Sequence, residues 1–224
     1  LTRYYANCQC RGAYPPHFTC GVWGFQHDFV AWTYYFHYNM QLMYGPLQAT
    51  GDSDLCAGYY NMRGSHLETS RRIAAKMNRR GAFYHDVADR YGRCAEYDSD
   101  NYTPGSQIAM AMWRHYRYTG DETFLREKAL PVMTACADFY LSVLQKGDDG
   151  LYHIHGTTAY EGNPPTDDTL TDRIMIRTLF GTLVGLDVPG KEKYLDVLRH
   201  LPEETYLTLD ADEMKDGKIN VELR

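Results

Sequence analysis

No stretch of this 224-residue chain approaches 18 consecutive apolar residues, and its opening, LTRYYANCQCRG, has neither a basic nor an apolar leader segment. The expectation is therefore no membrane span and no signal peptide. Basic excess is also lacking: 23 Lys and Arg stand against 29 Asp and Glu, a net charge of −6. Nothing in that balance holds a phosphate backbone, so nucleic acid is excluded as the expected partner. There is no GxSxG, no P-loop and no GxGxxG after a strand, which removes hydrolase triads and nucleotide folds. The six cysteines (Cys8, Cys10, Cys20, Cys56, Cys94, Cys136) form no CxxC pair, and zinc-finger and thioredoxin readings lose their spacing. Buried free thiols are expected, with a disulfide from Cys8 or Cys10 to Cys20 as the alternative in an exported protein. His153 with His155, and His85-Asp86 with Asp89, lack the third and fourth ligands of a zinc site; no metal and no cofactor are expected.

What the chain has in abundance is aromatic surface: 20 Tyr, 8 Phe and 3 Trp, 14% of residues. Tyr and Trp offer a flat apolar face and a polar tip together, a combination suited to sugars. With 44% apolar and 23% charged residues, the composition is that of a globular domain with a sizeable core. Residues 1–28, rich in Gly, Pro and Cys, are expected to form a long loop. From Phe29 to Leu47 the run is apolar on nearly every face, as in a helix buried among others. A helix or helix pair is predicted from Asp52 or Ser53, one of them capping, to about Arg80. Residues 81–103 look loop-like. A helix hairpin follows, turning at Thr119-Gly120-Asp121, with Pro131 either kinking its second helix or marking that helix's first turn. A short strand at 151–155, a loop from Gly156 to Thr166, helices over 169–186 and 191–201, and a small hairpin within 206–224 complete the pattern. About six or seven helices joined as antiparallel neighbours predict an all-α fold of stacked helix pairs in one domain over 1–224. No 33–45-residue period supports a helical repeat array.

Two places could carry chemistry. Glu161 is the one carboxylate in GTTAYEGNPP, where partial desolvation would raise its pKa and keep it protonated as a general acid. The bland reading is a solvated surface glutamate. His37, Asn39 and Gln41 interrupt an apolar run. His37 and Gln41 share a helical face, and Asn39 joins them only near a helix end. Otherwise each simply bonds neighbouring backbone.

These same segments carry a resemblance. HYNMQLMYGPL (37–47) resembles the Asn-x-Asn-x-Gln/Glu-Met-Asn-Tyr-Trp segment of the glycoside hydrolase family 95 catalytic domain, the α-L-fucosidase and α-L-galactosidase family. MWRHYRYTGDETFL (112–125) resembles its helix hairpin, GLYHIHGTTAYEGN (150–163) its general-acid loop, and TDRIMIRTLF (171–180) the helix after it. The resemblance implies an (α/α)₆ barrel, present here in part, with long loops and short β-hairpins. It implies Glu161 as general acid and Asn39 as a water-positioning asparagine. His37 stands where a second such asparagine would be. Inversion is implied, with carboxyls ~6.5–9.5 Å apart, on an α-L-fucosyl or related glycoside. Trp23, Trp113, His115, Tyr160 and Gln41 are candidates to line the sugar pocket. The family's general base lies in a later part of the barrel with no counterpart here, so the remainder of a longer polypeptide is an expected partner. A secreted, periplasmic or cell-surface location is likewise implied. The alternatives are an inactive carbohydrate-binding or scaffold protein on the same barrel, and a polysaccharide lyase using Tyr160 or a His as base.

Overall fold

A computed structural model describes residues 1–16, 34–35, 38–94, 100–159, 163–203, 214–215 and 218–219. Nine helical segments account for most of it: α1 (Thr2–Gln9), α2 (Tyr38–Ala49), α3 (Ala57–Ser65), α4 (Leu67–Lys76), α5 (Thr103–Thr119), α6 (Glu122–Phe124), α7 (Leu130–Val143), α8 (Leu170–Gly185) and α9 (Glu192–His200). Three two-residue strand pairs join them, all antiparallel: β1 (Tyr34–Tyr35) with β2 (Val87–Ala88), β3 (Gln145–Lys146) with β4 (Tyr152–His153), and β5 (Met214–Lys215) with β6 (Lys218–Ile219). The chain is all-α in class, with short antiparallel strand pairs between and beside the helices.

The arrangement is two layers. Helices α2, α5 and α8 lie side by side, α2 against α5 and α5 against α8, while α4 packs on α7 and α9 on α8 behind them. Three inner helices backed by outer partners are the alternation of an (α/α)₆ barrel in part. The apolar stripes that drive this are visible in α5 and α7. Ile108, Ala109 and Met112 of α5 and Val132, Met133, Cys136, Phe139 and Tyr140 of α7 are almost wholly buried, recurring at the i, i+3, i+4 spacing that aligns one helix face. Phe83, Tyr102 and Phe139 meet edge to face or tilted with centroids 5.1–5.8 Å apart, sealing the end of the core.

Local chemistry sets the boundaries of the hairpin as expected. Gly120 ends α5 at φ 68°, a conformation that costs a side-chain-bearing residue about 1 kcal/mol. Asp121 then caps α6, its Oδ1 accepting the Phe124 N–H at 2.9 Å. Between α6 and α7, Leu125–Ala129 winds as a π turn, and Pro131 falls in the first turn of α7, where its missing N–H is no loss.

Several expectations need correcting. Thr2–Gln9 is a helix, not loop: Ala6 and Cys10 are buried, and Arg3 Nε reaches Asp52 Oδ1 at 2.8 Å, so tertiary contacts override the Gly- and Pro-rich flank. Asp52 consequently does not cap; its other oxygen accepts the Thr50 hydroxyl at 2.7 Å. The predicted helix over 29–47 begins at Tyr38 among described residues and runs through Gly45-Pro46 to Ala49, forfeiting one ladder bond at the proline. The 81–103 segment contributes β2, which pairs with the distant β1. Among the described residues Cys8, Cys10, Cys56, Cys94 and Cys136 are free thiols; Cys20, the other partner of the alternative bridge, lies outside those residues. No described helix is long and apolar enough to cross a membrane, and no described group of three or more ligating side chains could hold a metal ion.

Candidate active site

The N-terminal ends of the three inner helices gather at one end of the molecule. Gln41, the fourth residue of α2, donates from Nε2 to Gln107 Oε1 of α5 at 2.5 Å. Gln107 in turn donates to Thr103 Oγ1 (2.9 Å), which donates to Asn101 Oδ1 (2.8 Å). Tyr140, near the C-terminal end of α7, reaches into the first turn of α8, so α8 starts where α5 starts. Below this rim, Gln41, Tyr44, Gln107, Met110, Arg114 and Met175 line a cleft of about 140 Å³. Its floor is held by the Gln48 amide on the Tyr60 hydroxyl and by Tyr44 stacked on Tyr59 at 4.6 Å.

The loop expected to carry the acid is anchored to this end. Its base is closed by a bridge in which the Thr157 N–H donates to the Thr166 carbonyl (3.1 Å) and the reverse bond is 2.8 Å. The Thr158 N–H donates to the Asp100 carbonyl just before α5, and the Thr171 hydroxyl to the Ala159 carbonyl. Beneath the bridge sits Asp172, fully buried. It accepts the hydroxyls of Tyr140 (2.9 Å), Thr157 (2.6 Å) and Thr169 (2.6 Å), while its own N–H returns a bond to Thr169 Oγ1 at 3.3 Å. Burial raises its carboxyl above the ordinary aspartate value, and the three hydroxyl donors oppose that shift. The result is a knot tying α7, α8 and both arms of the loop.

A second set of carboxylates holds the hairpin side of the loop. His153 Nδ1 lies 2.5 Å from Asp168 Oδ2, and its Nε2 lies 3.1 Å from Asp149 Oδ2. Asp168 Oδ1 accepts the Ile154 N–H and Asp167 Oδ1 the Gly156 N–H, both at 2.9 Å. The bond to Asp168 raises the His153 pKa above the ordinary histidine value, with Asp149 adding to it. His155 Nδ1 pairs with Asp167 at 2.9 Å.

Of the residues singled out from sequence, Asn39 is the second residue of α2, at the helix end that the His37, Asn39, Gln41 spacing requires. Gln41 borders the cleft. His37, Trp23, Tyr160 and Glu161 lie outside the described residues. Trp113 and His115 are placed differently: Trp113 packs beside Tyr116 at 5.2 Å, and His115 lies between the rings of Tyr60 and Phe124 at 4.7 and 4.6 Å. Neither borders the Gln41 cleft. Burial lowers the His115 pKa below its ordinary value, as expected of a packed imidazole. Sequence reasoning missed Asp172 and Gln107. Thr169-x-x-Asp172, with an acceptor at the cap and a carboxylate three residues on, was the available signal.

Comparison with known proteins matches these observations. Residues 1–186 fit the model of the glycosyl hydrolase family 95 catalytic domain. A kojibiose hydrolase of Flavobacterium johnsoniae is 30% identical over 89 residues, 37% of this chain and 13% of that protein. A maltose phosphorylase of Bacillus subtilis is 28% identical over 158 residues, 66% and 21% of the two chains, and alpha-L-fucosidase 2 of Arabidopsis thaliana is 37% identical over 57 residues, 25% and 7%. A solved structure described as a putative kojibiose phosphorylase from the human microbiome superposes with a TM-score of 0.62 at 15% identity, covering 72% of this chain and 26% of that one. The chain thus spans about a fifth or less of the curated relatives it matches. With a matching model over most of its length and the inner and outer helices of the same barrel type, the chain belongs to the glycosyl hydrolase family 95 catalytic domain family.

Proposed function

We propose that the chain contributes the general-acid side of a glycoside hydrolase active site. In this reading Glu161 protonates the leaving oxygen of an α-L-fucosyl or related glycoside, and Asn39, with His37, holds the water that enters from the opposite face with inversion. The observation that carries it is the doubly anchored loop: the bridge between Thr157 and Thr166 and the buried Asp172 knot fix the arms on either side of position 161. An acid must sit within about 3 Å of the oxygen it protonates, and a loop tied at its base to two helices loses less freedom on binding than a free one. Gln41 and the cleft beside Gln107 would receive the sugar, with Trp23 and Tyr160 stacking. Trp113 and His115 serve the packing of the helix hairpin. The water-activating carboxylate is expected from a later part of the barrel, as the family resemblance implies.

The test compares leaving groups in the complete enzyme. Glu161→Gln is expected to slow cleavage of an unactivated disaccharide by ~10²–10⁴, the usual worth of a general acid. A glycosyl fluoride, which needs no proton on departure, should lose far less. Equal losses on both substrates, or none on either, would refute the assignment. A second reading, a carbohydrate-binding domain without catalysis, draws support from His37, Met43 and Gly45 standing at motif positions where the family pattern has Asn, Asn and Trp. Stabilisation by sugar without released product would select it.

A further inference from the structure

A second cleft, larger than the one above, lies between α4 and the segment that follows it, with a volume of about 560 Å³. Thr69, Arg72, Ile73 and Lys76 border it from α4, at the i, i+3, i+4, i+7 spacing of a single helix face. Phe83, His85 and Arg93 border it from across. We propose that this cleft binds an acidic saccharide unit, one bearing a carboxylate or a sulfate ester.

Charge supplies the first argument. The whole chain is acidic, with 23 Lys and Arg against 29 Asp and Glu, yet between Arg63 and Arg93 eight Lys and Arg stand against three Asp and Glu. Arg72 and Lys76 are exposed. Arg72 bonds the hydroxyl of Thr69, at 3.1 Å, and no described carboxylate lies within ion-pair distance of either cation. A concave wall holding unneutralised cations over an apolar floor attracts anions more strongly than the same charges on an open surface.

The rim is built rather than loose. Asp89 Oδ1 accepts the N–H groups of Tyr91 (2.8 Å) and Arg93 (2.9 Å), and its Oδ2 takes the Arg93 side chain at 2.7 Å. Gly92 closes this turn at φ 79°, where an added Cβ would fall 2.8 Å from the His66 ring. His66 lies 3.0 Å from the Arg90 carbonyl through Nε2; burial and nearby Arg63 push its pKa down to about 4, so at neutral pH the ring is uncharged and donates that bond. Tyr91, on the same turn, borders an adjoining hollow that shares Thr69, Arg72 and Arg93 with the cleft, and the guanidinium groups of Arg90 and Arg93 lie 4.8 and 5.0 Å from its ring centre. Asp100, exposed at one end of the cleft, is an acceptor for sugar hydroxyls. Its carbonyl already takes the Thr158 N–H of the acid loop, so the cleft ends beside that loop.

The sugar component of this proposal rests on the family reading; the anionic component rests on the cations. Calorimetric titration of the chain at low salt uses five probes: trigalacturonate, a sulfated galactobiose, neutral galactobiose, inorganic sulfate and a short single-stranded DNA. One or both acidic saccharides should bind, more weakly as salt rises, and the two arms tell carboxylate from sulfate recognition. The double variant Arg72→Glu/Lys76→Glu should lose at least tenfold in affinity, the scale of one or two charge-assisted contacts, with unchanged melting temperature. Arg126→Glu, on the π turn outside the cleft, should bind as wild type. Absence of binding by both acidic saccharides, equal binding by neutral galactobiose or inorganic sulfate, preference for DNA, or indifference to the double variant would each overturn the proposal. None of these outcomes touches the Glu161 comparison, so the two ideas fail separately.

Discussion

Replacing Asp172 separates the energetic worth of the buried knot from its chemistry. Asp172→Ala leaves three buried hydroxyls, those of Tyr140, Thr157 and Thr169, without their acceptor. At ~1–3 kcal/mol for each unsatisfied group, partly relieved by rearrangement, the loss should be about 3–5 kcal/mol. That is a large fraction of the ~5–15 kcal/mol that stabilises a domain. Asp172→Asn keeps one acceptor oxygen and removes the charge, so about 1–2 kcal/mol is expected. The two variants also differ in pH response. Because the folded-state pKa of Asp172 is raised by burial, the folded protein holds this proton more tightly than the unfolded chain. Its contribution is therefore full below the ordinary aspartate value and falls as pH rises through the raised one. Other carboxylates, such as Asp52 and Asp89, are shifted down and act in the opposite sense, so the readout is the difference between wild type and Asp172→Asn. Urea unfolding at a series of pH values should show wild type losing its advantage over Asp172→Asn as pH rises from about 4. Amide exchange at Thr157, Thr158 and Thr166 should quicken in both variants more than in the core of α5. A loss under about 1 kcal/mol for Asp172→Ala, or a difference curve that grows with pH, would refute the reasoning.

Gly81 sits at φ 76°, and a Cβ added there would lie only 2.2 Å from the Ala135 carbonyl oxygen and 2.3 Å from the Phe139 nitrogen. Gly81→Ala should cost more than ~3 kcal/mol or prevent folding, read by thermal melting, and a melting temperature near wild type would contradict the close approach. The His153 ring, bonded first by Asp168 and then by Asp149, should titrate above the ordinary histidine value in a proton NMR series. The tether between β4 and Asp168 is then strongest at low pH and loosens as pH rises through that value. Asp168→Asn should bring the titration down, and an unmoved midpoint would count against the pairing.

How much of this was legible depended on how far apart the partners lie. The α5–α6–α7 hairpin reads directly from the chain because its signals are local: Gly120 at the C-terminus of α5, Asp121 three residues before the amide it caps, Pro131 in a first turn. Helix α1 was hidden by averaging over a Gly- and Pro-rich stretch, and what secures it is tertiary: burial of Ala6 and Cys10, with Arg3 reaching Asp52, 49 residues away. The β1–β2 pairing has no local signature at all. The composition of the loop around Glu161 and the polar triplet near Asn39 stand out in the sequence itself, while Glu161 and His37 lie outside the described residues. The Asp172 knot was not legible, because its partners come from α7, the loop and the cap of α8, and only folding makes them neighbours. Trp113 and His115 looked like sugar-facing aromatics, yet their neighbours are other rings of the hairpin and of α3.

The π turn at Leu125–Ala129 has a further consequence for how this hairpin tolerates changes of length. A wide turn holds one residue more than the regular i→i−4 ladder accommodates, and that surplus is taken up as extra winding between Asp121 and Pro131. Deleting a single exposed position there, such as Arg126, tightens the coil back to ordinary pitch instead of unravelling it. The closed end of the hairpin thus holds a spare link, and a one-residue deletion there should leave the opposite end, which carries the polar rim, with its geometry intact.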